Sequence, residues 1–117
     1  MSARSISIPT HVLIEIVAAP LLMAAPFLLG FNLATGAVAL ALGTLLMALA
    51  ISAVTDQRTI PLSAHASFDY ALAVATIVAG LVFGVATSDP VATAFLVGFG
   101  AAHLALTAST RYSARGA

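Results

Sequence analysis

The sequence predicts an all-α integral membrane protein, a bundle of four membrane-spanning helices built from two tandem hairpins, with both termini on the cytoplasmic side. Three observations predict it: four long apolar stretches, the confinement of every arginine to alternate connecting segments, and an internal repeat of about half the chain.

Of the 117 residues, 62 % are apolar and only 7 % charged, where a soluble domain carries about 25 % charged residues. A chain this short cannot hide so much apolar surface in one core. Acyl chains are therefore the expected solvent, and membrane lipids the first expected partners. The formal charge is zero and lysine is absent, so no basic face exists to hold nucleic acid. Cysteine is absent too, which removes disulfides, thiolate catalysis and thiolate metal sites.

The apolar stretches cover residues 12–29, 37–54, 66–86 and 91–108, each near the roughly 20 residues that cross about 30 Å of hydrocarbon. The helices that carry them are expected over about 9–30, 35–55, 62–86 and 90–110, within a single membrane domain, 1–117. The first is too long for a cleaved leader's apolar region and contains Glu15. Pro20 and Pro26 release the carbonyls of Ile16 and Leu22, which predicts a bend toward neighbouring helices. Gly30 suits a left-handed helix end, with Asn32 in the turn that follows. The second helix runs into the polar segment 55–59, which must lie in water. Ser88-Asp89-Pro90 is a start signal for the fourth, a capping side chain followed by proline.

All the arginines, Arg4, Arg58, Arg111 and Arg115, lie in the N-terminal segment, the middle loop and the C-terminal segment; the loops 30–36 and 87–90 have none. Positive residues collect on the cytoplasmic side, so N and C are expected inside.

Sliding the chain by 54 residues pairs Arg4 with Arg58, His11 with His65, Glu15 with Asp69, Ala19 with Ala73 and Gly30 with Gly84. One extra residue in the third loop then pairs Gly43 with Gly98 and Thr55 with Thr110. The repeats span about 4–55 and 58–111. Each unit crosses twice, so the two are expected to be related by an axis along the membrane normal. The segment Ala25-Pro26-Phe27-Leu28-Leu29-Gly30-Phe31 resembles the Ser-Pro-Trp-x-x-Gly-Phe signature of the SPW-repeat family of small bacterial membrane proteins. Ala and Phe stand for Ser and Trp, and the second copy, 79–84, has no proline. The resemblance implies two repeats of two transmembrane helices in a bacterial inner membrane and carries no activity with it.

Residues four apart lie one above the other on a helix, so His11 can reach Glu15 and His65 can reach Asp69. The repeat places these four in one layer near the cytoplasmic edge. They are the candidate polar layer and the candidate metal ligands, because imidazole and carboxylate suit divalent transition ions. The same layer can also serve as an interhelical clasp or as a proton-accepting cluster, since ionisable groups inside a membrane are functional candidates. A haem held by His11 and His65 is disfavoured by their place at the helix ends. His103, paired with Ala48 in the repeat, is expected outside the layer, bonded to Thr107 or a neighbouring helix.

Gly80, Gly84 and Gly98 are candidate packing positions, the first two in a GxxxG element and the last in a stripe with Ala94 and Ala102. Packing within the bundle is the expected use, with homodimer or larger-complex contact as the alternative. No nucleophile-and-base set or phosphate loop is present, so no enzyme and no cofactor are expected. The function expected first is a scaffold or accessory subunit acting through helix–helix interaction. The alternative is a proton- or divalent-metal-linked transporter or channel component that uses the His11/Glu15/His65/Asp69 layer.

Overall fold

The computed structural model describes residues 4–54 and 60–113. The polar segment 55–59, with Arg58, and the terminal Arg115 lie outside the described residues. Ser7 opens α1 (Ile8–Leu29), its hydroxyl accepting from the Thr10 amide, with Pro9 in the first turn where its missing N–H costs nothing. The helix runs unbroken through Pro20 and Pro26 and closes on Gly30 at φ 67°, whose N–H reaches the Pro26 carbonyl. Asn32 caps α2 (Leu33–Val54), its Oδ1 accepting from the Thr35 amide at 3.0 Å. α3 (Leu62–Ala79) continues into a π-helical turn, Gly80–Gly84. Asp89 then caps α4 (Pro90–Ala108) through the Ala92 amide, with Pro90 at its first position.

All four helices are long and apolar enough to cross a membrane, and 22 residues at about 1.5 Å each reach about 33 Å. Polarity is distributed inside out. Leu13, Phe27, Leu28, Leu33 and Val85 are exposed, whereas His11, Glu15, His65, Asp69 and Thr107 are buried. Water would penalise the first set; acyl chains accept it. The chain is a multi-pass membrane protein.

Packing is closest within each hairpin, α1 on α2 and α3 on α4, and looser between hairpins. Equivalent glycines allow it. A Cβ on Gly43 would meet Met23 and the Ala19 carbonyl; one on Gly100 would meet Ile77 and the Ala73 carbonyl. Since Ala19 matches Ala73 and Met23 matches Ile77 at the 54-residue spacing, Gly43 matches Gly100, a spacing of 57. The caps agree, because Asn32 and Asp89 are also 57 apart. This corrects the single-residue insertion read from the sequence: three residues enter between the two spacings, in the stretch holding the π-helical turn, which widens a helix without ending it. Gly80 and Gly84 abut α4 at Leu96, Val97 and Thr93. Gly98 faces open space, and Ala94, Gly98 and Ala102 all point outward, so that stripe does not pack inside the bundle.

The two ends of the bundle are tied differently. At one, Asn32 donates its amide to Asp89 Oδ2 at 2.9 Å and its side chain to Thr87 Oγ1 at 2.8 Å, joining the two hairpin turns. At the other, Ile6 N–H donates to the Ser109 carbonyl and Arg111 N–H to the Ile6 carbonyl, both at 2.9 Å, so the segment before α1 pairs with the segment after α4.

Candidate functional site

The helices set the site by depth. His11 and Glu15 stand one and two turns inside the start of α1, and His65 and Asp69 likewise inside α3. α4 runs the opposite way, and His103 stands five residues before its end, about 7 Å in at 1.5 Å per residue. That depth falls between the histidines and the acids of α1 and α3, and the five side chains meet inside the bundle.

Three imidazoles aim the same nitrogen at two carboxylates. His11 Nε2 lies 3.2 Å from Glu15 Oε2 and 2.9 Å from Asp69 Oδ2. His65 Nε2 lies 3.3 Å from Glu15 Oε1 and 3.2 Å from Asp69 Oδ2. His103 Nε2 lies 3.1 Å from Glu15 Oε2 and 3.2 Å from Asp69 Oδ1. Every nitrogen therefore faces one oxygen of each acid. The within-helix pairings that the sequence allowed occur, and His11 with Asp69 and His65 with Glu15 pair between helices as well. Each of the five residues is at most 6 % exposed.

His103 corrects the sequence reading, which placed it outside the layer. Its imidazole reaches across to α1 and α3 rather than to Thr107, whose hydroxyl is buried without a hydrogen-bond partner among the described residues. At the 57-residue spacing its repeat counterpart is Leu46, so repetition alone cannot find it; counting depth from the helix end does.

Two further residues were missed altogether, because they follow the last helix. Thr110 Oγ1 donates to the Leu106 carbonyl at 2.6 Å and lies 2.7 Å from His11 Nδ1. Its one proton is thus used, and it can only accept from the ring. His11 can therefore donate Nδ1–H to Thr110, and in that neutral tautomer it turns a bare Nε2 lone pair toward Glu15 and Asp69. Tyr112 donates its hydroxyl to Asp69 Oδ2 at 2.7 Å and sets its ring edge-on to His11, centroids 5.3 Å apart. Burial, then the negative charge of Asp69 and Glu15, holds this phenol above its ordinary ionisation range. The pairing of the chain ends holds both residues over the cluster.

Ligand atoms of His11, Glu15, His65 and Asp69 all lie within 4.8 Å of one another, a spacing that could hold a metal ion. At the opposite end, the Asn32 amide and Thr35 hydroxyl hold the Asp89 carboxyl below its usual range. No family model, curated protein or solved structure matches the chain.

Proposed function

We propose that this small multi-pass membrane protein is built around a divalent transition-metal centre, with His11, His65, His103, Glu15 and Asp69 as its ligands. One observation carries the reading: three nitrogens make six contacts of 2.9–3.3 Å to oxygens of two different acids. A single N–H points at one acceptor, so three donors shared evenly between two carboxylates is a poor hydrogen-bond arrangement. The same distances are ordinary edges of a coordination polyhedron, since metal–ligand bonds of about 2.0–2.2 Å at tetrahedral to octahedral angles put neighbouring ligand atoms about 2.9–3.5 Å apart.

Charge and tautomer favour the same reading. Two carboxylates balance a divalent cation with all three imidazoles neutral, which matters where net charge is costly. Thr110 can accept the Nδ1 proton of His11, the arrangement in which a ligating histidine gives its other nitrogen to an outer partner. The nitrogen-and-oxygen set without sulfur suits zinc, iron(II), cobalt(II) or manganese(II). The ion is resident rather than cargo, because among the described residues no acidic, basic or histidine side chain lies along the helices between the cluster and Asp89 at the far end. The cluster then also clasps the two hairpins, which keeps the scaffold reading as a consequence. By the arginine distribution the cluster faces the cytoplasm, and the likeness to SPW-repeat proteins supports a bacterial inner membrane.

Elemental analysis of detergent-purified protein made without a histidine tag tests this. About one divalent ion per chain is expected, bound tightly as in other buried nitrogen and oxygen sites, and lost in His65→Ala and His103→Ala. A folded wild-type chain that carries no metal and takes up neither zinc nor cobalt(II) at micromolar concentration overturns it.

A further inference from the structure

We infer that the centre is reached from the bilayer, through a cleft between α1 and α4, by a lipid-soluble molecule with a terminal hydroxyl. The repeat supplies the comparison that carries this. The two hairpins meet along two clefts, α1 with α4 and α3 with α2, and the matched spacings of 54 and 57 make these clefts counterparts. Each holds a cavity at corresponding positions. Ile14, Ala18, Ala102 and Leu106 line the first, and their counterparts Phe68, Leu72, Leu45 and Leu49 line the second.

The counterparts differ where depth is decided. Ala18 and Ala102 in the first cleft face Leu72 and Leu45 in the second. The α2/α3 cavity is broad, about 340 Å³, yet its lining stops at leucine and phenylalanine and includes no residue of the cluster. The α1/α4 cavity is smaller, about 110 Å³, and is floored by Glu15 and His103, the only polar side chains lining it among the described residues. His103 is the most exposed of the five cluster residues, at 6 %. Its counterpart Leu46 lines the same cavity. One repeat therefore gives the cluster its third histidine, and the other leaves an apolar approach to it. Ile14 and Ala102 at the mouth are exposed on the outer surface, where acyl chains lie.

The floor selects the occupant's polar end. A hydroxyl can donate to a carboxylate oxygen of Glu15 and accept from the imidazole of His103, while the apolar walls and the bilayer hold the rest. A charged head group would lose its hydration without a counter-charge on the walls. This rests on the cluster being the working centre, but the walls and floor are the same with or without an ion.

The probe is decanol carrying a diazirine, photolysed with the full-length protein in detergent micelles, with decane carrying the same group as control. Metal content is measured on every sample. The alcohol is expected to label the α1/α4 cleft saturably and in competition with unlabelled decanol. Ala18→Leu and Ala102→Leu, which copy the opposite cleft, should cut that labelling about tenfold or more, equivalent to about 1.4 kcal/mol, with metal retained. Equal labelling of both clefts, or equal competition by decane and decanol on wild type, overturns the inference. The wild-type competition stands even if the variants do not fold. Wild type that labels saturably but carries no metal would instead sink the metal reading and leave this one standing.

Discussion

His11 and Thr110, 99 residues apart, are joined by a 2.7 Å contact between Nδ1 and Oγ1, the shortest made by any ring of the buried cluster. Because Thr110 spends its own proton on the Leu106 carbonyl, the contact determines which nitrogen of His11 is free. Thr110→Val keeps the shape and removes the acceptor. Metal affinity, measured by competition with a chromophoric chelator, should fall 10- to 100-fold, the usual cost of losing an outer partner of a ligating histidine. Thr110→Ser should restore most of it. Equal affinity in the valine variant would show that the tautomer is set elsewhere.

The 57-residue register is tested by two neighbouring glycines. A methyl on Gly100 would sit 2.8 Å from the Ala73 carbonyl and 2.6 Å from Ile77 Cγ1, whereas one on Gly98 meets nothing within 4 Å. Gly100→Ala should cost about 1–3 kcal/mol of stability in reversible unfolding from mixed micelles, the range for overpacking. Gly98→Ala should stay within about 0.5 kcal/mol of wild type. A larger loss for Gly98→Ala than for Gly100→Ala would mean that the hairpins pack in the register first read from the sequence.

Much of this was legible in the chain. Span lengths follow from the apolar stretches, and Gly30 and Asp89-Pro90 mark ends that the helices respect. The pairs His11/Glu15 and His65/Asp69 stand out because helix spacing and the repeat coincide on them. The shift from 54 to 57 was hidden, since the widened turn at Gly80–Gly84 leaves no composition change beyond the missing proline. His103 was hidden because its counterpart is Leu46. Thr110 and Tyr112 were hidden because they are placed by the pairing of Ile6 with Thr110, a contact between chain ends that no local periodicity encodes.

The opposite end carries an acid-sensitive tie. Asp89 accepts from the Asn32 amide and the Thr35 hydroxyl, which favours its ionised form and lowers its pKa. A carboxyl depressed in the folded state contributes stability that is complete above its unfolded value of about 4 and is lost as pH falls through the folded value. The Tm difference between wild type and Asp89→Ala should therefore be constant from neutral pH down to about 4 and shrink below it. A difference that does not change across that range would show that the tie does not need the charge.

Tyr112 gives the complementary test at alkaline pH. Burial and the nearby carboxylates raise its pKa in the folded protein, while the unfolded phenol ionises near 10. Between those values the unfolded chain releases a proton that the folded chain keeps, so this residue's contribution is intact below about 10 and declines as pH rises toward the folded value. The chain has two tyrosines, and Tyr70→Phe isolates the signal. Phenolate absorbance of that variant in detergent should then appear well above the ordinary phenol range, and only as the protein unfolds. Tyr112→Phe keeps the ring over His11 but removes the 2.7 Å donation to Asp69, so it should weaken metal retention while leaving the packing in place. Titration of Tyr112 at its ordinary value would mean that its hydroxyl stands in water, and that the paired chain ends do not close over the cluster.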